Sequence, residues 1–178
     1  MLFKKHTITR ELYLAAASTH FTPVFFHLIE QERDYLEQWM DWPQRVDSLK
    51  RCERYLREME LINGVGQQFF SFIFFREQLV GSIALARVDT QNRAAELGFW
   101  KSKSLLPKAQ MEKVMQTFIT VCWKNSPLHR LEIQTATTNL PAKLLSEKLG
   151  FVLEGSKRDA LLIDEQFVNL DIYGLLRK

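Results

Sequence analysis

Cysteine, glycine and long apolar runs are all scarce in this chain. Its 178 residues include two cysteines, Cys52 and Cys122. Neither has a partner at metal-ligand spacing, so a disulfide-stapled scaffold and a cysteine-based metal site are both excluded. The four histidines, His6, His20, His27 and His129, are scattered and form no ligand pattern, so no metal is expected. No run of about 18 apolar residues occurs, which argues against a membrane span. The opening Met1-Leu2-Phe3-Lys4-Lys5-His6 lacks the apolar core of a secretion signal. Together with unpaired cysteines, this leads us to expect a cytoplasmic protein with buried free thiols. Charge of one sign is also missing. A net charge of +3 suits a single anionic ligand better than nucleic acid, which calls for a denser basic patch.

Aromatic residues are plentiful, with thirteen Phe and four Trp. They imply a large aromatic core or a groove for something flat or apolar. The length suits one domain, residues 1–178, with a substantial core. A first strand is expected over Ile8 to Ala15. His20 to Trp39 has helical spacing, with a break near Gln31. Asp41-Trp42-Pro43 reads as a turn. Asp47 or Ser48 can cap a helix that stops near Asn63-Gly64. Two strands follow, Gln68 to Arg76 and Leu79 to Val88, joined by a turn at Glu77-Gln78. Further along, Arg93 to Trp100 is a strand and Pro107 to Trp123 a helix. His129 to Thr135 is the next strand. Pro141 to Leu149 is a helix closed by Gly150. Val152 to Arg158 and Gln166 to Leu176 pair as the last two strands. The long helix between two strands implies a parallel crossover within the sheet.

Taken alone, each feature that could carry chemistry has an ordinary explanation. Gly98 fits a plain core strand as well as a close backbone approach. Asn139 is explained by capping the helix that begins beside Pro141. Glu96 can be a salt-bridged strand residue, Ser146 a helix hydroxyl, and Trp39 and Trp42 core indoles.

Their order along the chain is more specific. Ala95-Glu96-Leu97-Gly98-Phe99-Trp100 is followed by a helix, a strand, Asn139-Leu140-Pro141-Ala142, and Leu149-Gly150-Phe151-Val152-Leu153-Glu154-Gly155. This resembles the GNAT superfamily of acyl-CoA-dependent N-acetyltransferases, and within it the Rim-type enzymes that acetylate ribosomal-protein N-termini. Asp41-Trp42-Pro43 adds to the likeness, which runs from about Leu12 to Leu176. The resemblance implies an α/β fold with a mixed, mostly antiparallel central sheet, a parallel splay within it and flanking helices. It implies acetyl-CoA as cofactor, held by Gly98, Phe99, Trp100, Lys108, Ala109, Gln110, Met111 and Asn139. A peptide or protein N-terminus is the implied acceptor, and a homodimer is compatible.

The departures fall on chemical positions. The family's pyrophosphate loop is rich in glycine, whereas this chain reads Leu105-Leu106-Pro107-Lys108-Ala109-Gln110-Met111. A diphosphate needs converging backbone N–H groups at a helix N-terminus, and Pro107 supplies none. Leu105, Leu106 and Met111 are expected to fold into the cleft mouth or to form an apolar patch. Ala142 stands where Rim-type enzymes have a serine, and Ser146 where other branches have a tyrosine. Leu161 stands where a glutamate base has been proposed. Glu96 is then the remaining base, and Ser146 the remaining donor to a leaving thiolate. Two functional readings stay open: an N-acetyltransferase, or a catalytically inactive relative that binds a protein or another ligand.

Overall fold

The structure, a computed structural model, describes residues 5–65 and 69–178. In chain order the elements are β1 (Lys5–Thr7), β2 (Leu12–Ala16), α1 (Thr22–Leu36), α2 (Leu49–Val65), β3 (Phe69–Phe75) and β4 (Gln78–Asp89). They continue with β5 (Ala94–Lys101), α3 (Lys108–Asn125), β6 (Arg130–Ala136), α4 (Leu140–Lys148), β7 (Val152–Ile163) and β8 (Gln166–Leu176). Short 3₁₀ turns cover Thr19–Phe21 and Trp42–Arg45. The eight strands form one sheet in the order β1-β2-β3-β4-β5-β6-β8-β7. Among the described residues, only β5 and β6 pair in parallel, with α3 as their crossover. The mixed, mostly antiparallel sheet expected from the sequence is therefore present.

Side-chain alternation along the strands splits the core in two. On one face, Leu12, Leu14, Ile83, Leu85, Leu97 and Leu131 pack with Val114, Met115, Phe118 and Cys122 of α3. On the other, Phe25, Leu28, Leu56, Phe70, Phe72 and Trp100 form an aromatic layer with α1 and α2. Burial pushes the free thiols of Cys52 and Cys122 up to about 12, so both are inert packing groups.

Several local expectations shift. The strand expected over Ile8 to Ala15 is β2 and starts at Leu12, because residues 8–11 form a turn that leads in from β1, a short strand the sequence did not suggest. Helix α1 runs unbroken through Gln31. Its buried stripe of Phe25, Leu28, Ile29 and Leu36 includes Glu32, and a carboxylate in that stripe imitates a break. The β3–β4 turn lies at Arg76-Glu77, whose φ values are 51° and 62°, as a two-residue type I′ hairpin requires. Gln68, the expected start of β3, lies outside the described residues. Pro107 caps α3 from outside rather than opening it. Strand β7 runs past Arg158 to Ile163 because an irregularity between Lys157 and Leu161 absorbs the polar Arg158-Asp159. Gly150 closes α4 at φ +87°, in its expected role.

Candidate active site at the strand splay

Strands β5 and β6 are paired for three rungs only: Ala94 with Arg130, Ala95 with Leu131, and Glu96 with Glu132. Beyond that rung they part. Strand β5 continues to Lys101 along β4, and β6 continues to Ala136 along β8. The facing edges, Leu97 to Lys101 and Ile133 to Ala136, have no ladder with each other, which leaves backbone donors and acceptors for a ligand. A Cβ added to Gly98 would meet nothing within 4 Å, so the sheet face over Gly98 is open. On the other side of β5 the packing is tight. A Cβ on Gly81 would come within 2.3 Å of the Trp100 carbonyl oxygen, so glycine is needed where β4 abuts the end of β5.

Glu96 stands at the apex of the splay, opposite Glu132. Ala95 and Leu97 point into the α3 core, so alternation turns Glu96 to the other face of the sheet. Its Oε2 lies 3.2 Å from Nε of Arg87, yet this oxygen is buried and accepts no hydrogen bond among the described residues. The contact is an ion pair by distance, and the angle of the N–H denies it a hydrogen bond. Burial raises the Glu96 pKa above the ordinary carboxylate range. Arg87 and Lys157 pull it down, while Glu132 pushes it further up. A half-buried carboxyl with raised proton affinity is a stronger base than an exposed one.

The loop between β5 and α3 is organised by a residue that the sequence reading missed. The carboxylate of Glu32, on α1, accepts a short hydrogen bond from the Ser102 hydroxyl. It also accepts the Lys103 backbone N–H, at 3.2 Å from each of its oxygens. Ser102 in turn accepts the Leu105 N–H at 3.1 Å and donates its own N–H to the Val80 carbonyl. The ammonium of Lys101 donates to the Ser102 carbonyl at 2.8 Å, and burial lowers its pKa. The gap in the apolar pattern of α1 was the available signal for Glu32.

The expected apolar patch does not form. Leu106 and Met111 are buried in the α3 core, and only Leu105 is partly exposed. They are needed as packing beneath the first turn of α3. Among the other cofactor candidates, Lys108 and Ala109 are exposed on that turn. Gln110 has a buried Oε1 without a hydrogen-bond partner among the described residues. It borders a 560 Å³ pocket that it shares with Thr9, Arg10, Glu11 and Lys113. Phe99 packs against the aliphatic core. The indole of Trp100 packs with Phe25 and Trp42, so only its backbone is free to face a ligand.

Asn139 caps α4, accepting the Ala142 N–H at 3.3 Å. Ser146 is fully buried and donates to the Ala142 carbonyl at 2.9 Å. Helix α4 lies against the α3 side of the sheet, since Leu145 and Leu149 pack on that core. Glu96 and Ser146 therefore lie on opposite faces of the sheet and are not brought together. Trp42 stacks on Tyr55 with centroids 5.8 Å apart, and its 3₁₀ turn borders a 750 Å³ groove. The opposite wall of that groove is the end of the β7–β8 hairpin, Leu162 to Glu165. Trp39 is half-buried.

Comparison with known proteins agrees with this geometry. The acetyltransferase (GNAT) domain family matches residues 11–152. The chain is 24% identical to the ribosomal-protein-serine acetyltransferase of Escherichia coli (strain K12), covering 89% of this chain and 88% of that protein. It is 27% identical to the putative ribosomal N-acetyltransferase YdaF of Bacillus subtilis (strain 168), covering 85% and 83%. A solved RimL ribosomal L7/L12 alpha-N-protein acetyltransferase in complex with coenzyme A superposes with a TM-score of 0.93 at 22% identity, over 97% of both chains. At that identity the superposition establishes a common fold.

Proposed function

Because the chain belongs to the GNAT acetyltransferase family, we propose that it transfers acetyl from acetyl-CoA to the α-amino group of a peptide or protein N-terminus. The observation that carries this reading is the splay that opens immediately beyond Glu96. The residues present fit the cofactor. The parted edges offer backbone groups and the sheet face over Gly98 is open. Acetyl-CoA, when bound, supplies the activated thioester. Gly98, Phe99 and Trp100 contribute strand backbone to hold it. Lys108 and Ala109 contribute the N–H groups of the first turn of α3, where the helix dipole favours phosphate despite the missing glycines, while Gln110 and Met111, whose N–H groups donate to the Pro107 carbonyl, shape that turn. Asn139 contributes by fixing the start of α4.

Glu96 takes a proton from the acceptor ammonium through water. With the thioester bound, the freed nitrogen would bond to the acyl carbon and shed its second proton as the carbon–sulfur bond breaks, and the thiolate would take up one proton, leaving one for Glu96 and solvent. Ser146 is the candidate donor to that thiolate, and its hydroxyl must first turn away from the Ala142 carbonyl. The groove between Trp42–Arg45 and the β7–β8 hairpin is the path for the acceptor chain. The named relatives favour a ribosomal protein as the acceptor class. The reading takes residues 1–178 as one domain working in the cytoplasm.

Calorimetric titration with acetyl-CoA, followed by mass spectrometry of peptides incubated with both, tests the proposal. Saturable binding and a single acetyl group on the peptide α-amine are expected. Absence of binding at millimolar acetyl-CoA would leave the inactive, ligand- or protein-binding relative as the correct reading.

A further inference from the structure

Glu132 is absorbed by neither the fold nor the acetyl-transfer residues described above. It occupies the last rung of the parallel ladder, directly across from Glu96, where β5 and β6 part. Two carboxylates side by side on one face of a sheet repel each other and weaken it, so their position requires a reason. Glu132 is firmly held. Its Oε2 accepts from Nη2 of Arg130 at 3.0 Å, and its Oε1 accepts from Nε2 of Gln134 at 2.8 Å. Arg130 is itself clamped from β7 by Glu154. Glu96 has the opposite character, with one buried oxygen that accepts no hydrogen bond. Each oxygen of Glu132 thus has a donor, while Oε2 of Glu96 has none among the described residues.

We propose that Glu132 is a positioning residue for the proposed base, fixed by Arg130 and Gln134 so that Glu96, and not Glu132, is the carboxylate that takes the acceptor's proton. The inference rests on the acetyl-transfer reading and gives that reading its division of labour. Each oxygen of Glu132 is held by a donor, Arg130 or Gln134, and its charge makes Glu96 a stronger base. The other charges that act on Glu96 are Arg87 from β4 and Lys157 from β7, and both work in the opposite direction. Arg87, whose Nε stands 3.2 Å from Oε2 of Glu96, acts on it more strongly than Glu132 does, so burial sets the main part of the balance and Glu132 offsets part of the pull of Arg87. Glu132 forms no bond to the substrate and gains or loses no proton in the step.

The test compares Glu132→Gln with the parent protein in two measurements. The first is the pH profile of kcat/KM with a peptide acceptor. The second is an NMR titration of the Glu96 side-chain carboxyl carbon, which needs neither cofactor nor turnover. Both should move to lower pH in the variant, by about one pH unit. Should Glu132→Gln fail to fold, Glu132→Asp retains the charge and withdraws it by one methylene, and a smaller shift in the same direction is expected. A Glu96 titration that stays in place in a folded variant overturns the proposal, whatever the activity. A Glu96 titration that moves while kcat/KM stays flat with pH supports the pairing and instead overturns Glu96 as the base.

Discussion

Two adjoining stretches of β5 and the loop after it handle their backbone groups in different ways. From Leu97 to Lys101 the strand is paired on its β4 side, and its other edge is left open by the departure of β6. From Ser102 to Leu105 the chain has no such freedom, because Glu32 and Ser102 take up the N–H groups of Lys103 and Leu105. The first stretch needs only a backbone direction, which many side chains can supply. The second depends on particular residues, Glu32 on α1 and Ser102 itself. Absence of glycine from the segment that follows, Leu105 to Met111, therefore does not by itself imply a lost site, since the approach to it is held by an internal carboxylate and Leu106 is held in the core.

Leu106→Asp should give the largest effect. Leu106 is 1% exposed in the α3 core, and burying an unpaired charge there costs about 4 kcal/mol or more. The melting temperature should collapse, or soluble protein should disappear. A variant with native melting behaviour would restore the expectation that Leu106 belongs to a surface patch and would erase the contrast drawn above.

Glu96→Gln comes next and tests the open side. Loss of a general base should lower kcat/KM about 100- to 1000-fold near neutral pH. Stability should change in the other direction. The folded protein holds a proton on Glu96 more tightly than the unfolded chain does. Between the ordinary carboxylate range and that raised value, the folded state binds more protons, so the parent loses stability as pH rises. The variant lacks this loss, and its melting curve should be flatter over that window. Unchanged kcat/KM would remove Glu96 from the mechanism.

The fold was largely legible from the chain. The Gly98-Phe99-Trp100 strand, the α3 crossover and the Leu149-Gly150-Phe151 segment place β5 and β6 side by side, and periodicity finds most elements within a few residues. The loop was less so. Leu106 and Met111 read as an apolar patch because spacing alone does not say which turn of a helix meets the core. Glu32 escaped notice because its partners, Ser102 and Lys103, lie about 70 residues away and polar contacts at that range leave no local pattern. Glu132 was hidden for a related reason, since its meaning depends on a parallel register that no hairpin announces.

Glu32→Gln should have a moderate effect and sharpens the braced side. An amide retains one acceptor oxygen but loses the charge, and hydrogen bonds to charged groups are worth about 1.5 to 3 kcal/mol. Stability should fall by about that range. If the brace sets the cofactor loop, the KM for acetyl-CoA should rise while kcat changes little. A fall in kcat with unchanged KM would show that the loop acts on the chemistry and not on cofactor capture.

Ser146→Ala should give the smallest effect, because two features of Ser146 limit what it can contribute. It is fully buried on α4, and its hydroxyl is already used by the Ala142 carbonyl one turn back. Such a bond within a helix adds little, since the carbonyl also takes part in the helical ladder. Losing it should cost about 1 kcal/mol or less of stability. To serve the thiolate the hydroxyl must first break that bond, and a serine is a weak acid even then, so kcat should fall less than about tenfold. A larger fall at unchanged stability would mean that the hydroxyl does turn toward the splay during turnover. That result would make the α4 face a participant in the chemistry and reduce the difference between an open strand edge that reacts and braced surroundings that only support it.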